Sequence, residues 1–106
     1  MDNIYEGNIL IAEKLLNLDR AELSNKYFFI EFNNDEQLYK ETDLKFHSDS
    51  NWQWLCLEKI MKDNELYSIG QVYLLLEDIM SEKNDESFDI KTKMNLFDAI
   101  IGYIKE

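Results

Sequence analysis

Residues 46–61 read FHSDSNWQWLCLEKIM, and how this stretch folds decides the architecture of the whole chain. It holds both tryptophans, Trp52 and Trp54, with the only cysteine, Cys56, and the only histidine, His47. Ser48, Asp49 and Ser50 are all helix-capping residue types. Ser50 as N-cap and Gln53 three residues later make a capping-box pattern. Ser48 and Asp49 are alternative caps that suit the positive end of a helix dipole. A helix starting near Asn51 is therefore expected. At about 100° per residue, Trp52, Cys56, Leu57 and Ile60 share one broad arc, which Trp54 and Met61 extend. Only Glu58 and Lys59 lie together in a polar sector. A helix apolar over most of its circumference is covered on more than one side, so this one is expected to be central. Trp54 then belongs to the core, and Trp54→Ala should cost roughly 3–5 kcal/mol. Lys62, Asp63, Asn64 and Glu65 follow with no glycine to stop the helix.

On the N-terminal side, residues 3–17 carry Ile9, Ala12, Leu15 and Leu16 on one helical face, widened by Leu10 and Ile11. Gly7 weakens the first turn, so the regular helix is expected to begin near Asn8. Residues 18–26 are polar and turn-like, with room for one short helical turn. Residues 27–32, YFFIEF, alternate aromatic and aliphatic side chains and predict a strand. Asn33-Asn34-Asp35 is a turn signal. Residues 36–45 are polar and ambiguous: a turn of helix over 36–40 and a second short strand beginning at Leu44 and Phe46 are both compatible with them.

On the C-terminal side, Ile69, Val72, Tyr73, Leu76, Ile79 and Met80 form a helical stripe that Ser68 can cap, predicting a helix over 69–81. The alternative is a hairpin across 66–80, with Ile69-Gly70-Gln71-Val72 as its turn. Residues 82–89 are an acidic loop. Met94, Phe97, Ile100, Ile101 and Ile104 predict a helix over 92–105, capped by Asp89 or Thr92, with Lys105 near its C-terminal end. The expected fold is a single α+β domain, mainly α: three to four helices around a central Trp-rich helix, with a small β element.

Composition narrows the function classes. At 106 residues with 45% hydrophobic and 13% aromatic side chains, one domain with a real core is expected. No apolar run is long enough to cross a membrane. The start, MDNIYEGN, lacks the basic residues of a secretory signal, and one cysteine cannot form an intramolecular disulfide, so a cytoplasmic setting is expected. The 22 acidic against 11 basic side chains give a net charge of −11. Direct nucleic-acid binding and anionic membrane surfaces are disfavoured, and a protein with a basic surface is the favoured partner. Acidity also serves solubility alone.

No constellation points to catalysis. The three glycines are isolated, so no phosphate-cradling loop is present. One His and one Cys, nine residues apart, do not make a zinc site. Cys56 between Leu55 and Leu57 reads as a core residue rather than a nucleophile, and His47 as a polar residue near a helix start. Asp85, Ser87 and Asp89 alternate but lack the glycine and terminal glutamate of a calcium loop. No enzymatic activity, cofactor or metal is expected. Two acidic segments carry the candidate partner-binding residues. One holds Glu31, Asp35, Glu36, Glu41 and Asp43, with Tyr39 among them and Lys40 as its one lysine. The other holds Glu77, Asp78, Glu82, Asp85, Glu86 and Asp89, with Lys83. Brought to one face, they would attract a basic groove; kept apart, they are solvated loops. Phe29, Tyr39 and Phe88 offer aromatic anchors for such a face.

Three stretches, NILIAEKL at 8–15, LKFHSDSNWQWLCLEKI at 44–60 and KMNLFDAIIGYIKE at 93–106, resemble a family of small uncharacterised proteins of bacteriophages and mobile elements in Bacteroidota. Ile11-Ala12-Glu13 matches its early segment. His47, Trp52, Trp54, Leu55, Glu58, Lys59 and Ile60 match its histidine–tryptophan run, although Asp49-Ser50-Asn51 lengthens the approach to the first tryptophan. Ala99, Tyr103, Ile104 and Lys105 match its closing helix. The resemblance implies an α+β fold with a few strands, which raises the hairpin reading of 66–80, and it brings no catalytic residues. Small size, acidity and a phage-like origin are similar to the profile of anti-CRISPR proteins. That profile implies an inhibitor in the host bacterial cytoplasm that binds a Cas nuclease or its ribonucleoprotein, with type II-C and type VI-B effectors as the single-protein targets. A structural, regulatory or antitoxin-like phage protein that oligomerises through apolar helical faces is the competing class. The chain itself would be a monomer or a small homo-oligomer.

Overall fold

Alternation along YFFIEF places Phe28 and Ile30 on one side of a strand, and both are buried. In the computed structural model, which describes residues 3–22, 24–32, 34–83 and 90–105, that strand is β2 (Ser24–Phe32). It is the middle of a three-stranded antiparallel sheet in the order β1-β2-β3. β1 is the short Arg20–Ala21, where the sequence predicts a turn. β3 is Asp35–Lys40, where a turn of helix was one of the readings. The β2–β3 register runs unbroken from Tyr27 opposite Lys40 to Phe32 opposite Asp35. Asn34 takes φ 66° in the turn, a left-handed conformation that asparagine tolerates. The pairing of β3 with β2 overrides the weak intrinsic strand preference of DEQLYK. Leu44 and Phe46 form no strand; they run in irregular backbone after a 3₁₀ turn (Glu41–Asp43) with both side chains buried.

The helices fill the remainder: α1 (Asn3–Leu10), a π-helical turn (Ile11–Leu15), α2 (Ser50–Asp63), α3 (Ile69–Lys83) and α4 (Lys93–Lys105). The helical reading of 69–81 holds, and the hairpin alternative does not form. Gly7 lies within α1 rather than ahead of it. A Cβ at Gly7 would sit 2.6 Å from Phe97 Cζ, so the bare backbone lets α1 approach α4. The π turn closes with Leu16 N–H donating to Ile11 C=O at 3.0 Å, and Asn17 then reverses the chain at φ 49°.

α2 packs against α3, α4 and the π turn, burying Trp52, Cys56, Leu57 and Ile60 as expected of the central helix. Three of its residues, Ser50, Gln53 and Trp54, depart from the sequence reading. Asp49, not Ser50, is the N-cap: its Oδ1 accepts from Asn51 N–H at 2.8 Å. Gln53 is released from the capping box and buried. Its Nε2 donates to the Phe46 carbonyl at 3.0 Å and to the Lys93 carbonyl at 2.7 Å. Trp54 is 46% exposed rather than in the core, because the arc that α2 buries stops at Trp52 and Leu57. On α4 the buried face turns to Leu96, Phe97, Ala99 and Ile100, leaving Met94 exposed. Thr92 caps α4 by accepting from Asn95 N–H at 3.1 Å, and Ser68 caps α3 by accepting from Gln71 N–H at 3.4 Å.

α2 ends without glycine in a Schellman arrangement. Leu66 N–H donates to Met61 C=O at 2.9 Å and Glu65 N–H to Lys62 C=O at 3.3 Å. Glu65 occupies the left-handed position at φ 54°, which glycine usually takes.

Candidate functional site

Trp52 is 4% exposed and ties the hairpin to the helices. Its ring centroid lies 5.4 Å from Phe32, 4.9 Å from Tyr39 and 5.0 Å from Phe46, within the range of favourable aromatic pairs. Between the hairpin and the outer face of α2 this leaves a groove of about 540 Å³. Phe32, Tyr39 and Trp52 supply its aromatic lining, together with Trp54. Three carboxylates edge it: Glu31 from β2, Asp49 at the helix start and Glu58 one turn beyond Trp54. Among the described residues no cation lies within ion-pair distance of these three; the ion pairs join Arg20 to Glu13 and Glu41, and Lys59 to Asp63.

The candidate residues of the first acidic segment divide. Glu31, Asp35, Glu36 and Tyr39 gather at the hairpin, and only Glu31 and Tyr39 of these reach the groove. Glu31 and Glu36 are direct cross-strand neighbours. Glu41 is drawn away at the far end of β3, where Arg20 bridges it at 3.4 Å and Glu13 at 3.3 Å while lying 4.3 Å above the Phe28 ring. Asp43 is exposed beside it in the chain. The second segment divides too. Glu77 lines a second groove with Tyr73 and the other edge of Trp54. Asp78 faces a different cleft beside Lys14 and Lys105. Glu82 lies within α3, its side chain outside the description; Asp85, Glu86, Asp89 and the aromatic Phe88 lie outside the described residues. Phe29 is half-buried on the open sheet face. The described acidic residues therefore do not form one face. Trp54 stands between two grooves, one bearing Glu31 and the other Glu77.

Another cleft, of about 940 Å³, mixes Asp63 and Asp78 with Lys14 and Lys105, so its charges are balanced. Cys56 is fully buried, its Sγ 3.7 Å from the Trp52 carbonyl. Burial pushes its thiol well above the ordinary range, against a smaller lowering by the backbone hydrogen bond. A thiol held protonated in this way is no nucleophile. His47 is structural. Asn8 Oδ1 accepts from Phe46 N–H at 2.9 Å, which turns Asn8 Nδ2 toward His47 Nδ1 at 3.0 Å. Nδ1 must then accept, placing the ring proton on Nε2. Among the described residues no three His, Cys, Asp or Glu side chains gather as a metal site requires. None of the described helices is long and apolar enough to cross a membrane.

Sequence reasoning missed Asp49, Glu58 and Trp54 as groove residues. The i, i+4 spacing of Trp54 and Glu58 was the signal available, since it places both on one helix face. No family model, no curated protein and no solved structure matches the chain.

Proposed function

We propose that this protein is a small acidic interaction module that binds a basic surface on another protein and carries out no chemistry of its own. The observation that supports this is the groove beside Trp54, where three carboxylates with no ion-pair partner among the described residues edge a half-exposed indole. An arginine side chain suits such a groove: its planar cation stacks on an indole face while its N–H groups fork toward carboxylates. In its sharpest form the proposal is an inhibitor of a host-defence nuclease, of the anti-CRISPR type, that occupies a basic groove of a Cas effector or its guide-RNA complex in the bacterial cytoplasm. The net charge of −11 would steer that encounter.

The test is co-purification with candidate type II-C and type VI-B effectors, followed by a cleavage assay. Binding that falls steeply as salt rises, and that Glu58→Lys weakens, is the expected result. Failure to bind or inhibit any effector removes the nuclease reading. Salt-indifferent binding removes the electrostatic one.

A second reading, self-association of a structural, regulatory or antitoxin-like protein, has its own support. Tyr67 is 92% exposed just before α3, and Leu74 on α3 is 62% exposed. Leu74→Lys would abolish an assembly built on that face and leave binding at the groove intact.

A further inference from the structure

The strand order leaves β3 at the edge of the sheet, with β2 on one side and no strand of the described chain on the other. Every residue of β3 is exposed except Tyr39, which is half-buried. Alternate residues of an edge strand turn their N–H and C=O groups outward, ready to pair. Of the usual obstructions, proline and a bulge are missing, while Asp35, Glu36 and Lys40 put charges along a short edge. The chain contains no proline, and the β2–β3 register has no bulge.

We propose that this edge pairs with the β3 edge of a second copy, antiparallel and centred on Leu38, joining the two sheets into one. The register is argued from charge. Glu36 lies directly opposite Glu31 on β2, and like charges opposed across strands are destabilising. No described cation is in ion-pair distance of either. Centring on Leu38 sets the partner's Lys40 opposite Glu36, and Lys40 opposite the partner's Glu36. Lys40 is exposed and in none of the described ion pairs. The same register sets Leu38 on the partner's Leu38 and Gln37 on the partner's Tyr39.

Sheet faces agree with that alignment. Leu38, 50% exposed, lies on the solvent-facing side next to half-buried Phe29. Pairing Leu38 with its own copy would merge two small apolar patches. A one-residue slip would instead set the core-facing row of one copy against the solvent-facing row of the other.

The strand is short and each copy carries −11, so the dimer is weak and favoured by salt, which screens the repulsion between copies. That sign is opposite to the one expected for a basic partner. The surface also differs from the α3 face that supports self-association above.

Sedimentation equilibrium of the full chain over a concentration series tests the proposal. A reversible dimer is expected, with Glu36→Lys and Lys40→Glu each weakening it by about tenfold. Each variant opposes like charges in its own dimer, whereas a mixture of the two opposes unlike charges. The equimolar mixture should therefore dimerise again, as heterodimer. A wild-type chain monomeric at every concentration overturns the proposal. So does a dimer indifferent to both reversals, or a mixture that stays monomeric.

Discussion

The two tryptophans of α2 are separated by one residue and do opposite work. Trp52 is enclosed by Phe32, Tyr39 and Phe46 and fastens the hairpin to the helical layer. Trp54 points away from that contact and stands half-exposed between two grooves. Identical chemistry on one helix thus yields a structural joint and a surface feature. The difference lies in which arc of the helix finds neighbours. Residue type alone does not decide burial, particularly for a side chain as large as tryptophan.

Replacing each tryptophan by alanine tests the contrast directly. Trp52→Ala removes the ring that three others pack on and should cost about 3–5 kcal/mol, read as a lowered denaturation midpoint in urea. Next in size is Gln53→Ala. It leaves the Phe46 and Lys93 carbonyls without their buried donor and should cost about 1–3 kcal/mol. If Gln53 acted only as a cap, the loss would be smaller and confined to the start of α2. Trp54→Ala should cost at most about 2 kcal/mol, since only part of its surface is withdrawn from water, and the variant should remain folded by circular dichroism while losing affinity for a basic partner. A Trp54→Ala chain that unfolds would restore the core reading of this residue. The smallest effect is a gain: Glu65→Gly relieves a left-handed backbone at a side-chain-bearing residue and should stabilise by about 1 kcal/mol, seen as a raised midpoint with an unchanged slope.

The sequence was most legible where one signal dominated. The buried Val72, Leu76, Ile79 and Met80 on α3 and Cys56, Leu57 and Ile60 on α2 are strongly periodic and follow the sequence reading, whereas Tyr73 of the same α3 stripe is exposed. β2 stood out through its aromatic alternation. β1 and β3 did not, because Arg20–Ala21 and DEQLYK carry little strand preference and pair only because β2 offers them an edge. Gln53 was misread because its spacing from Ser50 satisfies a local rule, whereas the Lys93 carbonyl that claims it lies on a remote segment. Asn8 was missed for the same reason, its partners being Phe46 and His47. The acidic residues were visible by composition, but their division between the groove, the Arg20 bridge and separate clefts follows from tertiary placement alone.

The backbone of Phe46 is held at both of its polar groups, its N–H by Asn8 and its carbonyl by Gln53, which also holds the start of α4. Three distant parts of the chain therefore meet at one backbone unit. The bonds to Asn8 and to Lys93 each close a long loop, so their entropic cost falls due before their benefit is complete. The β2–β3 hairpin, by contrast, needs only a tight turn and can form early. In kinetic terms, the clamp belongs on the native side of the folding barrier. Weakening it at Gln53 should then quicken unfolding far more than it slows folding.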